Sequence, residues 1–357
     1  MRTAVVIGTR PEIIKMSPII RELEERGEGY DIIHTGQHYD HEVSEIFFEE
    51  LELPEPDRYL GVGSGSQGEQ TGNALIGLEK AFEELGIQTV LVQGDTNTVL
   101  AGALAGIKMG LNVGHVEAGL RSYDYRMPEE YNRRLTDHAS NLLFAPTENS
   151  AEILRSESVW GDIHVTGNTV IDACLQNMEI AERKAEFDFE LPDDYVLVTA
   201  HRAENVDDKE VLKDLLNVFE NLGTPQIYPI HPRAEKMFKE FDLYDRLKNI
   251  EGMKLVEPQG YLEFLVLMRD CEYILTDSGG IQEEATAPNI KKKVFVLRKS
   301  TERPEAVEAD FAEIVGTDDE EILHRIKEFN KENWDPKEGP YGKGDAGKKI
   351  VDVICEQ

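Results

Sequence analysis

The sequence contains few cysteines, little positive charge and no long hydrophobic run. Its three cysteines, Cys174, Cys271 and Cys355, are far apart in a chain of 357 residues and lack metal-ligand spacing. We therefore expect three buried thiols in a reducing cytoplasm and no metal site. No apolar stretch reaches the roughly 18 residues of a membrane-spanning helix, and the amino terminus lacks a signal-peptide cleavage site. These absences predict a cytoplasmic protein that does not enter a membrane.

The shortage of basic residues argues against two classes of partner. Lys and Arg number 38 against 70 Asp and Glu, so the net charge is −32. Nucleic acids and anionic membrane surfaces are bound by basic surfaces, and we expect neither partner. An anionic ligand would need positive charge gathered locally. Adaptation to concentrated salt is a second interpretation of the acidity, and thermal unfolding in KCl would test it.

Short apolar runs alternate with longer amphipathic segments along the whole chain. The predicted strands cover residues 3–7, 30–34, 89–93, 112–116, 141–145, 164–166, 195–199, 226–230, 254–256, 273–275 and 293–297. Most are rich in Val, Ile and Leu, as in a sheet covered on both faces. The predicted helices include 11–26, 211–222, 320–329 and 346–355. Such alternation is typical of parallel α/β sheets, and the strands are too many for one ordinary doubly wound sheet.

We therefore predict an α/β protein of two Rossmann-like domains with parallel sheets. The first domain covers residues 1–168 and is joined by a C-terminal helix at 344–357, and the second covers 169–343. The boundary follows the Thr-Gly-Asn segment at 166–168, and a Gly/Pro cluster at 339–344 marks the return. Ligands of such folds bind beyond the carboxyl ends of the strands, so the unusual residues should follow strands.

In the first predicted domain, candidate residues follow three strands. Arg10 stands where the first helix begins, and Lys15 lies about one turn further, an arrangement that indicates either an anion site or a tight turn with a solvated arginine. Asp95 and Glu117 each follow a strand, and Glu129 follows Pro128. Each acid alone could cap a helix, whereas three acids at one edge of a sheet are typical of acid/base chemistry.

The second predicted domain has candidates of the same kind. His201 follows strand 195–199 and is either a proton donor or a structural histidine. A Ser-Gly-Gly segment at 278–280 opens a helix after strand 273–275, which favours a phosphate cradle over a simple helix cap. The segment matches neither GxxxxGK[ST] nor GxGxxG, so no nicotinamide cofactor is indicated. Glu284 could bind ribose hydroxyls, and Arg303 a diphosphate.

Taken in order, these motifs resemble the non-hydrolysing UDP-N-acetylglucosamine 2-epimerases, and the resemblance covers essentially the whole chain. The matching segments are GTRPE at 8–12, TGQH at 35–38, QGDTNT at 93–98, HVEAGLR at 115–121, PEEYNR at 128–133, TGNTVID at 166–172, HRAEN at 201–205, DSGGIQEEA at 277–285, TERPE at 301–305 and PYG at 340–342.

The resemblance implies a GT-B-like fold with the active site in the interdomain cleft. It also implies reversible epimerisation at C2 between UDP-N-acetylglucosamine (UDP-GlcNAc) and UDP-N-acetylmannosamine (UDP-ManNAc). Elimination and re-addition of UDP through 2-acetamidoglucal is the chemically easier route, and it needs no cofactor and no metal. The family implies a cytoplasmic homodimer whose product enters polysaccharide biosynthesis or protein glycosylation.

Carried over residue by residue, the family assigns two groups of residues. The catalytic residues are Asp95, Glu117, Glu129 and His201. The residues that bind UDP or the UDP-sugar are Arg10, Lys15, Arg133, Phe264, Ser278, Gly279, Gly280, Glu284 and Arg303.

Some segments depart from the family pattern, and three rival functions stay open. Ala200 and Ala203 flank the His-Arg pair, and the segment 39–45 lacks the glutamines associated with activation by UDP-GlcNAc, so that activation is in doubt. A retaining glycosyltransferase would need an acceptor, and a hydrolysing epimerase would release free N-acetylmannosamine. A non-catalytic UDP-sugar sensor has no use for three acids and a histidine together.

Overall fold

The structure, a computed structural model, describes residues 2–36 and 41–356. The chain forms two compact units, an N-terminal unit made of Met1–Ala173 with Tyr341–Gln357 and a C-terminal unit made of Cys174–Pro340. Each unit has its own sheet, in which the strands that the structure describes all pair in parallel. This confirms the predicted fold class of two Rossmann-like units.

The N-terminal unit carries a seven-stranded sheet in its described part. Its strands are β1 (Arg2–Ile7), β2 (Gly29–His34), β3 (Arg58–Tyr59), β4 (Thr89–Gln93), β5 (Asn112–Val116), β6 (Leu142–Ala145) and β7 (Asp162–Val165). They lie in the order β3-β2-β1-β4-β5-β6-β7. Its helices are α1 (Arg10–Arg26), α2 (His41–Glu50), α3 (Gln67–Leu85), α4 (Asn97–Lys108), α5 (Pro128–His138) and α6 (Glu148–Ser156).

The first helix shows how local chemistry sets the elements of this unit. The Glu12 carboxylate accepts a hydrogen bond from the Thr9 backbone N–H at 3.2 Å, and Pro11 occupies the first turn of α1. The helix ends at Arg26 and is capped by Gly27, whose φ of 68° lies in the left-handed region that glycine adopts without strain. The loop after β1 is thereby fixed where α1 begins.

The C-terminal unit carries a six-stranded sheet. Its strands are β8 (Val196–Thr199), β9 (Gln226–Pro229), β10 (Met253–Val256), β11 (Ile274–Thr276), β12 (Val294–Val296) and β13 (Ala312–Ile314), in the order β10-β9-β8-β11-β12-β13. Its helices, with α7 shared at the unit boundary, are α7 (Thr169–Lys184), α8 (Ala203–Val206), α9 (Lys209–Asn221), α10 (Pro232–Glu240), α11 (Tyr244–Lys248), α12 (Tyr261–Asp270), α13 (Gly279–Glu284), α14 (Pro304–Glu308) and α15 (Asp319–Glu328). A 3₁₀ helix covers Lys331–Asn333.

The last helix, α16 (Ala346–Cys355), belongs to the N-terminal unit and packs against α1. The Asp172 carboxylate accepts a hydrogen bond from the backbone N–H of Gly347 at 2.9 Å, and burial raises the pKa of Asp172 to about 6. The units change over at Ala173 and Tyr341, whereas the domain bounds of 1–168, 169–343 and 344–357 stay a prediction. Cys355 is exposed at the end of α16, so the expectation of three buried thiols is wrong for this residue.

Each predicted strand is present, and two further strands were missed. Both β3 and β13 are short, and each pairs at one edge of its sheet. Neither has a continuous apolar run, since β3 consists of Arg58 and Tyr59 and β13 contains Glu313. Edge strands need less burial than central ones, so the apolar signal is weak there.

The strand orders define where ligands can bind in each unit. The order reverses between β1 and β4 in the N-terminal sheet and between β8 and β11 in the C-terminal sheet. Open α/β sheets bind ligands beyond the carboxyl ends of strands at such a switch point. In the part of the chain that the structure covers, no helix has the length and apolar character to cross a bilayer.

Candidate active site

Glu117 stands directly after β5 in an unusual backbone conformation. Its φ is 71°, in the left-handed region that costs a non-glycine residue about 1–2 kcal/mol. Its carboxylate accepts hydrogen bonds from Lys15 Nζ and from Gln93 Nε2, both at 2.5 Å. The Glu117 side chain is only 6% exposed and that of Lys15 13%. A strained backbone that aims a paired, buried carboxylate is typical of functional positions.

Asp95 follows the adjacent strand β4 and has its own cation. Arg133 of α5 donates from Nη2 to Asp95 Oδ2 at 2.5 Å and from Nη1 to Glu130 Oε2 at 3.0 Å. The Asn132 side-chain amide donates to the Asp95 backbone carbonyl at 3.0 Å. Because β4 and β5 pair in register up to Gln93 and Val116, the loops that carry Asp95 and Glu117 are neighbours, as predicted.

The remaining candidates of this unit are less constrained. Glu129 is half-buried in the first turn of α5, and no hydrogen bond or ion pair of its side chain occurs among residues 2–36 and 41–356. Arg10 is exposed, and its guanidinium lies 5.5 Å from the centroid of the Phe47 ring. The residues 37–40, which include part of the TGQH segment and of the segment 39–45, lie outside the described part of the chain.

Two buried carboxylates that the sequence analysis did not assign, Glu12 and Asp137, contact the loops that carry the candidate residues. Glu12 accepts hydrogen bonds from the Gly8 backbone N–H at 2.5 Å and from Thr96 Oγ1 at 2.6 Å, so it joins the loops after β1 and β4. Burial raises the pKa of Glu12 to about 7. The signal for Glu12 was the Thr-x-x-Glu pattern of a capping box. Asp137, buried beneath the Glu117 loop, had no such signal.

In the C-terminal unit, His201 lies at the switch point beside Asp277. Asp277 Oδ2 accepts hydrogen bonds from the backbone N–H groups of His201 and Arg202, each at 2.9 Å. His201 Nδ1 lies 3.4 Å from Asp277 Oδ1, and Asp277 is fully buried. The His231 ring lies 5.3 Å from the His201 ring, and burial with the nearby His201 lowers the pKa of His231. The buried Asp277 carboxylate thus holds the backbone at His201 and lies beside its half-exposed imidazole.

The Ser-Gly-Gly segment presents an open helix end. Ser278 precedes α13, and Gly279 and Gly280 form its first turn. A Cβ atom added at Gly280 would meet nothing within 4 Å, and one at Gly279 would meet only Arg202 Nη2 at 3.9 Å. The Ser278 N–H donates to Thr276 Oγ1 at 2.9 Å, so the N–H groups of Gly279 and Gly280, in the first turn of a helix with open space beside it, are the ones that suit an anion.

The other predicted binding residues of this unit lie on three helices or their ends. Arg303 precedes α14, and its Nε lies 2.5 Å from the buried Glu283 Oε1 of α13. Glu284 is half-buried at the end of α13, and Phe264 is half-buried in the first turn of α12. The structure thus brings Arg303 to the helix of the cradle through an ion pair that the sequence analysis did not predict.

Comparison with known proteins adds the family to this geometry. Residues 21–355 match the UDP-N-acetylglucosamine 2-epimerase family. The UDP-N-acetylglucosamine 2-epimerase of Methanocaldococcus jannaschii is 49% identical over 366 positions, which cover 99% of both chains. The chain belongs to the UDP-N-acetylglucosamine 2-epimerase family.

Solved structures of 2-epimerases agree over the full length. The Methanocaldococcus jannaschii enzyme in complex with UDP-GlcNAc and UDP has a TM-score of 0.86 and 48% identity, with 100% of both chains covered. The Neisseria meningitidis enzyme bound to UDP-GlcNAc has a TM-score of 0.88 and 36% identity, again with 100% of both chains covered. These likenesses confirm the predicted GT-B-like fold and the prediction that the protein is an enzyme of the 2-epimerase family.

Proposed function

We propose that the protein interconverts UDP-GlcNAc and UDP-ManNAc by eliminating UDP and adding it back through 2-acetamidoglucal. The observation that carries the proposal is the pair of carboxylates Glu117 and Asp95, each beside a cation at the carboxyl ends of adjacent strands. Family membership over the full chain supports the substrate.

The chemistry explains why several acids are needed. The hydrogen at C2 is not next to a carbonyl, so direct removal of that proton is difficult. If the C1–O bond breaks as the C2 proton leaves, the electron pair of the C2–H bond forms the C1–C2 double bond and UDP departs with the C1–O pair. Re-addition of UDP with a proton delivered to the opposite face of C2 gives the epimer. Neither step changes an oxidation state overall.

We assign the proton transfers at C2 to Asp95, Glu117 and Glu129. Glu117 and Asp95 are held by Lys15 and Arg133, and such fixed groups need little reorganisation during the reaction. Glu129 has an unengaged half-buried carboxyl group in the described structure. Acids at one edge of the sheet can divide the two faces of C2 between them.

We assign the departing diphosphate to groups that donate hydrogen bonds. His201, whose backbone is held by Asp277, can donate to the leaving phosphate as the C1–O bond breaks. The open turn offers the backbone N–H groups of Gly279 and Gly280 and the hydroxyl of Ser278 to a phosphate.

The remaining family residues complete the assignment. Arg10 and Arg303 contribute cations for the diphosphate, and Glu283 orients the Arg303 guanidinium. Glu284 accepts hydrogen bonds from the ribose hydroxyls, and Phe264 contacts the uracil ring.

The deciding experiment supplies UDP-GlcNAc alone in D₂O and follows the products by NMR and mass spectrometry. We expect UDP-ManNAc that carries deuterium at C2. Glu117→Gln should lower kcat by about 10²–10⁴-fold with UDP binding largely kept. Glu148→Gln, an exposed acid in the first turn of α6, is the matched control and should keep full activity.

Each rival function gives a different result in the same assay. Turnover that requires an added acceptor would indicate a glycosyltransferase, and release of free N-acetylmannosamine a hydrolysing epimerase. UDP binding without turnover would indicate a sensor. Full retention of protium at C2 during turnover would overturn the elimination route.

The family also supports a homodimer that acts in the cytoplasm and feeds polysaccharide biosynthesis. Light scattering after gel filtration tests the dimer, and fractionation of the source cells tests the compartment. Loss of a surface glycan in a deletion strain tests the pathway.

A further inference from the structure

The buried carboxylate of Asp137 contacts residues on both sides of Glu117. Its Oδ1 lies 2.7 Å from His115 Nδ1, and its Oδ2 lies 2.7 Å from Arg121 Nη2 and accepts the Gly119 N–H at 3.3 Å. The side chains of Asp137, His115 and Arg121 are fully buried. Asp137 sits in the last turn of α5, where a negative charge opposes the helix dipole, so these partners and not the helix stabilise its charge.

His115 extends this connection to the neighbouring loop. Its Nε2 lies 2.8 Å from the backbone carbonyl oxygen of Gly94, the residue before Asp95. The Gly94 carbonyl can only accept, so His115 Nε2 donates this hydrogen bond, while Nδ1 faces Asp137. The ring therefore bridges Asp137 and the residue before Asp95.

We propose that Asp137 is a positioning residue that, directly and through His115, holds the turns carrying Glu117 and Asp95. The inference rests on the proposed function, because those two carboxylates act there as the acid/base groups. The turn at Glu117 needs such support, since a φ of 71° is a strained left-handed conformation for a non-glycine residue. Strained conformations persist only where the surrounding contacts fix them.

A chain of ion pairs leads from the same carboxylate back to Asp95. Arg121 also contacts Glu157 at 2.6 Å, and Arg134 joins Glu157 at 2.9 Å to Glu130 at 3.0 Å. Glu130 in turn contacts Arg133, the partner of Asp95. Asp137 is thus connected to Asp95 by a second route through α5.

The kinetic test uses Asp137→Asn, which keeps the shape and removes the charge. We expect kcat to fall on the order of 10²-fold, because displaced acid/base groups slow the proton transfers, with KM for UDP-GlcNAc little changed. Asp31→Asn is the matched control. It removes another buried carboxylate from an ion pair, with Arg2 at 2.5 Å, in the same unit, and should leave kcat unchanged. An Asp137→Asn variant with wild-type kcat overturns the proposal.

Two variants at His115 keep the test decisive if Asp137→Asn does not fold. His115→Asn retains a donor toward Asp137, and His115→Gln retains one toward Gly94. Each breaks one link, so both should lower kcat with KM kept. If either variant keeps the wild-type kcat, the link through His115 is unnecessary and the proposal is wrong.

The ring itself gives a readout that does not depend on turnover. In ¹⁵N-histidine protein, the His115 Nε2–H signal, assigned by its absence in His115→Gln, should be protected from exchange with solvent in the wild type. That protection should be lost in Asp137→Asn. A His115 Nε2–H that exchanges freely in the wild type overturns the proposal. A wild type without epimerase activity would instead refute the proposed function, and the ring signal would still decide whether Asp137 holds His115.

Discussion

Replacing Glu117 by glycine should make the protein more stable than replacing it by alanine. Both variants lose the carboxylate and its contacts with Lys15 and Gln93, so their difference isolates the backbone. At φ 71°, an L-residue pays about 1–2 kcal/mol that glycine does not. Glycine loses about 0.4–1 kcal/mol more entropy on folding. The net expectation is an advantage of about 0.5–1 kcal/mol for Glu117→Gly.

Urea unfolding followed by far-UV circular dichroism measures this difference. The control is Lys80, which is exposed within α3. There the order should be reversed, with Lys80→Gly less stable than Lys80→Ala by about 1 kcal/mol. Both Glu117 variants should lose epimerase activity. If Glu117→Ala is at least as stable as Glu117→Gly, the left-handed conformation at 117 does not carry the strain that we assign to it.

Three further predictions concern the C-terminal unit. Gly280→Ala should fold normally, since a Cβ meets no atom within 4 Å, yet weaken UDP binding in calorimetry; unchanged affinity would remove this turn from the phosphate site. Arg303→Ala should weaken UDP binding by about 1–3 kcal/mol and destabilise the fold by removing the cation beside the buried Glu283 carboxylate; adding Glu283→Gln, which removes that charge, should restore stability but not affinity. Burial by itself raises the pKa of Glu302. The hydrogen bonds from Arg298 outweigh burial and lower that pKa to about 2, against an ordinary value of 4.5. Ionised Glu302 therefore stabilises the fold fully above pH 4.5 and less as the pH falls towards 2, so the stability difference between wild type and Glu302→Gln should shrink over that range.

The sequence was sufficient to locate the edge of each sheet where the candidate residues lie. Buried parallel strands have a strong apolar signal, and the rule that ligands bind beyond their carboxyl ends then selects the residues that follow. Asp95 and Glu117 were found in this way, and the pairing of β4 with β5 confirms that their loops are neighbours. His201 was found by the same rule, after β8.

The partners of these residues could not be predicted, because they come from distant parts of the chain. Lys15 and Glu117 are 102 positions apart, and Asp277 and His201 are 76 apart. Nothing in a local pattern selects one partner over another at such a separation. Arg303 shows the consequence, since it was assigned to a diphosphate without its buried partner Glu283.

Backbone strain was equally invisible in the sequence. Left-handed turns are usually indicated by glycine or asparagine, and a glutamate gives no such signal. At Glu117, activity and stability therefore make opposite demands, since the conformation that aims the carboxylate costs free energy. At Asp137 they agree, because the same carboxylate stabilises the loop and holds its acid in place. Glu117→Gly should thus be inactive but more stable than Glu117→Ala, whereas Asp137→Asn should lose both activity and stability. Measuring both activity and stability for these variants therefore distinguishes the loss of a positioned acid from the loss of folding stability.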